Sequence, residues 1–480
     1  MPSPAVPPNL KFGSSPLLLH SFRNRTLSEG STGRVRPLKA EARDEPVVGL
    51  GDGVWWAHRK EGAADLHLVG GTLPDLPEGA FLFQYLQSDC WAELLPLLTF
   101  FRGVAGWEPP PPRACLMFDD PNLHWRSYGY INFASLARHA REHRYHASFA
   151  MVPLDAWHLH RSTARLFQEN GDLLSLLVHG NNHARNELAL PYSEQRRSAL
   201  VAQALTRVER FEQQSGLEVS RVMAAPHHAC SDEMAGTLAR MGFEAACVSP
   251  AFIMEHNRAR AWPEAAGLAP ADFLAGSLPV IPRFTFGLIN LPRILLAGFF
   301  GQAIVPVGHH DDLADGLGVL RKLADSINQT GEVGWTDMTS IARSNFWSRR
   351  DGSTMHLRLY SRQVRFTVPE GVTAIHIERP WLKADQPEPL TWREDLSPVQ
   401  LTPACPSEPI PTTPGVVMDI RSVLPNALDH HKAPFTRTPV WAIMRRQLCE
   451  GRDRLKPAVH RIRRFANLKS NLAAHGPEPK

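Results

Sequence analysis

Four short stretches of this chain bring together residue types that ligate metals and move protons: Asp119-Asp120, His179-Gly180-Asn181-Asn182-His183, Pro226-His227-His228 and His309-His310-Asp311-Asp312. His179 and His183 stand four positions apart, so on a helical turn or a tight loop both imidazoles face one point. A carboxylate from elsewhere in the chain completes three ligands and leaves a coordination position for water. Such a site polarises a carbonyl and makes water acidic enough to act as a nucleophile near neutral pH. Ligand types spread over separate stretches point to a single divalent cation site. Each stretch also has a plainer reading. Asp119-Asp120 could cap a turn, His227 and His228 could line a groove without reacting, and Asp311 or Asp312 could cap the helix that follows. A His-Asp pair occurs in all-helical phosphohydrolases too, but here it follows an apolar strand.

What positions these residues is an alternation of short apolar runs and amphipathic segments. Ala114–Phe118, Ala147–Val152, Leu173–Val178, Val222–Ala225, Ala245–Val248, Val280–Ile281, Ala303–Val307 and Val333–Trp335 read as strands. Helical stretches lie between them, at Phe133–His143, Ala156–Glu169, from Ser193 to before Gly216, from Ser231 to Gly242, and at Leu313–Ile327. Apolar runs of this length, separated by helices, signal parallel strands buried on both faces. Seven or eight such units favour a closed or nearly closed βα-barrel, in which residues just past the carboxyl ends of the strands converge on one face. The four stretches above hold those positions.

The order Phe118-Asp119-Asp120, then His179-xxx-His183, then a late strand ending in His resembles the polysaccharide deacetylase family (carbohydrate esterase family 4) over roughly residues 113–345. The resemblance implies an α/β fold, a distorted and partly open (β/α) barrel that removes an acetyl group from an N-acetylated carbohydrate with one divalent metal ion, commonly zinc. It further implies that Asp120, His179 and His183 hold the metal, that Asp119 is the general base, and that His309 or His310 is the general acid. The chain departs from the family pattern. Met117 and Pro121 stand where Thr and Gly usually flank the aspartate pair, and Ala224-Ala225-Pro226-His227-His228 keeps the proline of the third motif without its arginine. Arg283, after Pro282, is then the candidate to orient the base, and Pro226, His227, His228 and Arg283 are expected along the substrate groove. The departures leave two alternatives: a catalytically inactive carbohydrate-binding or assembly protein on the same barrel, and a metal hydrolase of another ester or phosphoester bond.

The remainder of the 480 residues divides into a mobile leader over 1–45, an N-terminal α+β region with a proline linker over 46–112, the barrel over 113–346, a small antiparallel β-rich appendage over 347–400, and a Pro-rich then basic helical tail over 401–480. The segment Ala80–Phe83 reads as a strand, Trp55-Trp56 as packing or sugar-stacking residues, and Ile294–Phe300 as a buried helix. The tail is expected to be helical from Trp441 to Leu472 with a break at Pro457. An apolar share of 43% and a charged share of 21% exclude a disordered or fibrous chain.

The net charge of +4 conceals an imbalance: residues 441–480 carry ten Lys or Arg against three acidic residues, so the rest sums to −3 and is no nucleic-acid binder by charge. A solvated face is the commoner fate of such a basic helix, and contact with a membrane surface the rarer one. Six scattered cysteines without a CxxC pair fit a reducing compartment. No apolar run reaches the roughly 20 residues of a bilayer span, and the first residues lack an export signal, so a cytoplasmic protein without a transmembrane segment is expected.

Overall fold

The computed structural model describes residues 9–474 except 20, 29–34, 72–85, 87–90, 264, 277, 383–387, 396–398, 403–408 and 435, with backbone alone for 250, 251, 401, 402 and 463–474. The expected strand Ala80–Phe83 lies outside the described residues.

A nine-stranded sheet carries the site. Its strands are β1 (Leu116–Asp119), β2 (Ala147–Met151), β3 (Leu174–His179), β4 (Val219–Ala224), β5 (Ala245–Val248), β6 (Asp272–Leu274), β7 (Leu278–Pro282), β8 (Phe284–Thr285) and β9 (Pro306–Gly308). They lie side by side in the order β6-β7-β5-β4-β3-β2-β1-β9-β8, all parallel except β6. Every residue of β1, β2 and β5 is buried, as expected for parallel strands covered on both faces. The sequence shows how far the sheet curls. β7 and β8 lie near opposite ends of the strand order, yet only Arg283 separates them in the chain. Two residues span less than about 8 Å, so the two edges of the sheet meet at Arg283. The sheet is therefore a curled, partly open barrel with Arg283 at its seam.

The covering helices form where the sequence provides caps. Ser193 accepts a hydrogen bond from the Arg196 N–H at the start of α3 (Glu194–Ser215), and Gly216 closes it with φ of 65°. Asn132 caps α1 (Phe133–His143) and Ser231 caps α4 (Asp232–Arg240) in the same way. Phe133, Leu136, Ala137 and Ala140 recur at helical spacing and bury one face of α1 against the core of Phe118, Phe149 and Phe167.

Two further assemblies flank the barrel. In the N-terminal one, five antiparallel strands (Asn9–Phe12, Thr26–Ser28, Glu45–Leu50, Gly53–Glu61 and Ala64–Val69) pair in one sheet. Two of these strands fall within the stretch expected as a leader, because Leu10, Phe12 and Leu27 bury into a core with Trp55, Trp56 and Trp91. That core also takes Leu295, Leu296 and Phe299 from the helix Leu291–Phe299, so both tryptophans and the apolar Ile294–Phe300 run serve packing.

The second assembly, over 346–422, reaches past residue 400 and is a pair of four-stranded sheets around Leu357, Val364, Ile375 and Ile420. It was expected to be purely antiparallel, but Thr354–Leu359 pairs in parallel with Ala374–Glu378. The intervening strand Gln363–Thr367 belongs to the opposite sheet, so the chain crosses over and returns in the same direction. Among the described residues no helix is long and apolar enough to cross a membrane.

Candidate metal centre

The carboxyl ends of β1, β3, β4, β7 and β9 deliver the polar residues to one face. Asp119 ends β1 and Asp120 follows it with φ of 79°. His179 ends β3, and Gly180 (φ 63°) turns the chain back so that His183 (φ 54°) returns toward it. A single carboxylate holds this turn: Glu187 Oε1 accepts from the backbone N–H groups of Asn181 (2.6 Å), Asn182 (3.2 Å) and His183 (3.0 Å). A side chain at position 180 would strike that same oxygen at 2.2 Å and Pro226 at 2.6 Å, so only glycine fits there.

Ligand-type atoms of Asp120, His179 and His183 lie within 4.8 Å of one another. Asp120 Oδ1 is 3.2 Å from His183 Nε2 and 4.0 Å from His179 Nε2. The Ala224 carbonyl, 2.9 Å from His179 Nδ1, can only accept, so Nδ1 donates to it and Nε2 is the nitrogen that faces the cluster. Burial pushes His183 down to about 3, against the pull of Asp120, so its ring is neutral at neutral pH. Burial would raise Asp120, but His183, Arg446 and His179 outweigh it and hold the carboxyl below its usual range. One carboxylate and two imidazoles are a donor set suited to zinc, so the residues present fit a divalent ion.

Asp119 is buried, and Arg283 Nη1 donates to both of its oxygens at 2.9 Å. Arg283 also donates to the Ala225 carbonyl through Nη2 (2.9 Å) and to His228 Nδ1 through Nε (3.2 Å). Burial favours the neutral acid, yet the guanidinium and the nearby imidazoles win, and Asp119 titrates below its ordinary value. The same guanidinium, after burial, pushes His228 down to about 3, leaving a neutral ring that accepts from Arg283 and stacks on Phe252.

The two late histidines separate. His309 is exposed and its Nε2 lies 4.0 Å from Asp120 Oδ2. His310 is buried beside the Tyr128 and Tyr130 rings, and its nitrogens meet Asp311 (3.3 Å) and Asp453 (3.4 Å) instead. Pro226 is buried against Gly180, and His227 is exposed with its ring 5.0 Å from that of His183. Asp119, Asp120, His179, His183, Arg283, His227, His228 and His309 thus gather on one face, while His310 turns toward the C-terminal helix.

That helix, α7 (Val440–Ala474), supplies what the sequence did not disclose. Arg446 Nη1 lies 3.1 Å from Asp120 Oδ1, and the same guanidinium pairs with the buried Asp155. Arg445 Nη2 is 3.4 Å from His183 Nδ1. Glu450 sits 3.0 Å from His124 Nδ1, whose Nε2 donates to the Asp155 carbonyl at 2.7 Å, so His124 uses both nitrogens as donors. Asp453 accepts from Tyr128, and Lys456 reaches Asp311 at 2.5 Å. The helix runs on through Pro457 without the expected break. Proline removes one internal donor, and these ion pairs hold the turn before it. Sequence reasoning missed Glu187, although it follows His183 at the same four-residue spacing that separates His183 from His179. Arg446 gave no local signal, being one of ten cations in a basic tail.

No family model and no curated protein sequence matches the chain. Solved structures similar to it include a family 4 carbohydrate esterase from Streptomyces lividans in complex with acetate, at 12% identity and a TM-score of 0.31, covering 49% of this chain and 97% of that one. A family 4 carbohydrate esterase from Streptococcus mutans aligns at 15% identity and a TM-score of 0.28, over 47% of this chain and 87% of that one. A pseudoenzyme of the same family from Bacillus anthracis aligns at 12% identity and a TM-score of 0.29, over 51% of this chain and 69% of that one.

Proposed function

We propose that the chain is a metal-dependent hydrolase that removes an acetyl group from an N-acetylated carbohydrate. The observation that carries this reading is the pairing of two carboxylates in different surroundings: Asp120 among His179 and His183, Asp119 bound by Arg283. Two neighbouring carboxylates kept apart in this way can take different parts in one reaction. The sequence motif supports the acetylated sugar as the substrate class.

Asp120, His179 and His183 would hold one divalent ion, zinc by its donor set, and a bound ion of this kind polarises the amide carbonyl and acidifies water. Arg283 keeps Asp119 ionised and aimed, so that Asp119 takes the proton from the attacking water. His309 gives a proton to the departing amine nitrogen, and acetate and the free amino sugar result. His310, held by Asp453 and the two tyrosines, keeps the strand end in place for its neighbour. Pro226, His227 and His228 border the groove beside this centre.

The test is a pair of variants on the full chain. Asp120→Ala is expected to lose stoichiometric zinc and acetate release together, whereas Asp119→Asn keeps the zinc and loses turnover. Acetate release by Asp119→Asn at the parent rate removes Asp119 as the base. A second reading, a barrel that binds carbohydrate without reacting, is favoured by one contact, the Arg446 guanidinium against Asp120. Oligosaccharide binding with no acetate released under any added divalent metal would establish that reading instead.

A further inference from the structure

A helix on the surface of a folded body normally buries its apolar stripe and turns its charges outward. The segment of α7 from residue 440 to 462 does the reverse. Its buried residues are Ala442, Arg446, Glu450 and Asp453, and three of these four are charged. They occupy one face, ion-paired to the barrel through Asp120, Asp155, His124 and His310. On the opposite face Trp441, Met444, Leu448, Leu455, Val459 and Ile462 are all exposed, Leu448 to 73% and Leu455 to 64%. Their spacings of three, four and seven place them on one stripe about 60° wide.

The charges flanking that stripe have one sign. Both acidic residues of the segment point inward, and the exposed Arg452 and Arg461 flank the apolar face without an outward carboxylate beside them, whereas Arg445, Arg454 and Lys456 turn toward His183, Glu450 and Asp311. Two exposed tryptophans of the barrel stand beside the helix. The Arg454 guanidinium lies 5.5 Å over the Trp125 ring, and Trp157 lines a groove together with Ile443.

We propose that this outward face of α7 binds the surface of an anionic phospholipid bilayer, with the helix lying in the plane of the interface. Such a surface receives both features at once: the stripe enters the headgroup–acyl boundary, and the flanking cations meet lipid phosphates. The tryptophans match the amphipathic depth of that boundary. A second copy of the helix is a poorer occupant, because stripe-to-stripe packing brings the exposed Arg452 and Arg461 of both copies together. The inference stands on the helix alone and does not depend on the hydrolase reading.

The experiment is flotation of the full chain with vesicles of phosphatidylcholine alone and of phosphatidylcholine mixed with phosphatidylglycerol. The chain is expected to float with the anionic vesicles, and added salt to weaken the binding. Leu448→Glu combined with Leu455→Glu should lower partitioning on the order of a hundredfold, since each leucine loses its apolar transfer. Because both positions are exposed, the unfolding midpoint should stay at the parent value; Trp441→Ser serves as a second variant should the first misfold. Failure to float with anionic vesicles, or equal flotation of the double variant, overturns the proposal. So does a concentration-dependent dimer that the double variant dissolves, which would assign the stripe to a second copy.

Discussion

The site has two walls of different origin. One is built by the sheet: Asp119, Asp120, His179, His183 and Arg283 stand at strand ends, and neighbouring strands fix their separation. The other is built by α7, whose Arg446 meets Asp120 across 326 positions of sequence. The first wall is positioned by backbone hydrogen bonds and close packing, the second by ion pairs between side chains. Strand-end residues inherit the geometry of a whole sheet, whereas a docked helix contributes only what its own partners hold.

The largest effect that would break this contrast lies in the sheet wall. Arg283 occupies the seam, fully buried, and is the guanidinium on Asp119. Arg283→Met leaves a buried carboxylate without its counter-charge, a loss of roughly 3–5 kcal/mol. Denaturant unfolding should show that loss, and acetate release should vanish with it. A variant as stable as the parent would mean that the seam does not depend on this pair.

The helix wall should respond in the opposite sense on metal. In Arg446→Met a positive charge leaves the side of Asp120, so zinc should bind about tenfold tighter by calorimetry. Stability should fall by about 2–3 kcal/mol as Asp155 loses its partner. Weaker zinc binding would show instead that Arg446 aims Asp120 rather than competing for it.

The smallest effect concerns pH. His124, despite burial, is raised above its ordinary value by Glu450 and the Asp155 carbonyl, and Glu450 is lowered to about 2 by His124 and Arg454 against its own burial. A raised imidazole stabilises the docked helix below its ordinary value and loses that contribution as pH rises through the raised one. A lowered carboxylate contributes above its ordinary value and loses that contribution as pH falls toward 2. Helix docking should therefore be firmest between the ordinary values of carboxylate and imidazole. Cleavage of α7 by a protease should accelerate on the alkaline side, and Glu450→Gln should flatten that rise.

The same contrast explains what could be read in advance. The parallel strands announced themselves as apolar runs of four to six residues, and the polar residues following them marked one face of the barrel. Arg283 was visible as a candidate because Pro282 and a strand precede it, though nothing in the run disclosed that two sheet edges meet there. His309 and His310 were indistinguishable as neighbours, and only the packing of Tyr128, Gly129 and Tyr130 around the second assigns it inward. Arg446 was hidden because long-range ion pairs leave no periodicity. The two flanking β assemblies were underread for a related reason: short strands with few apolar residues, such as Thr26–Ser28 and Gln400–Thr402, acquire their structure from neighbours far along the chain.

Of the nine described non-glycine residues with positive φ, four are Asp120, His183, His227 and His228. Left-handed backbone at such residues costs roughly 1–3 kcal/mol each, and here it directs side chains that a right-handed or extended peptide would send elsewhere. A grafted set of the same carboxylates and imidazoles on ordinary turns would share the composition of this centre and none of its convergence. The twist of four peptide units is as much a reagent here as any imidazole.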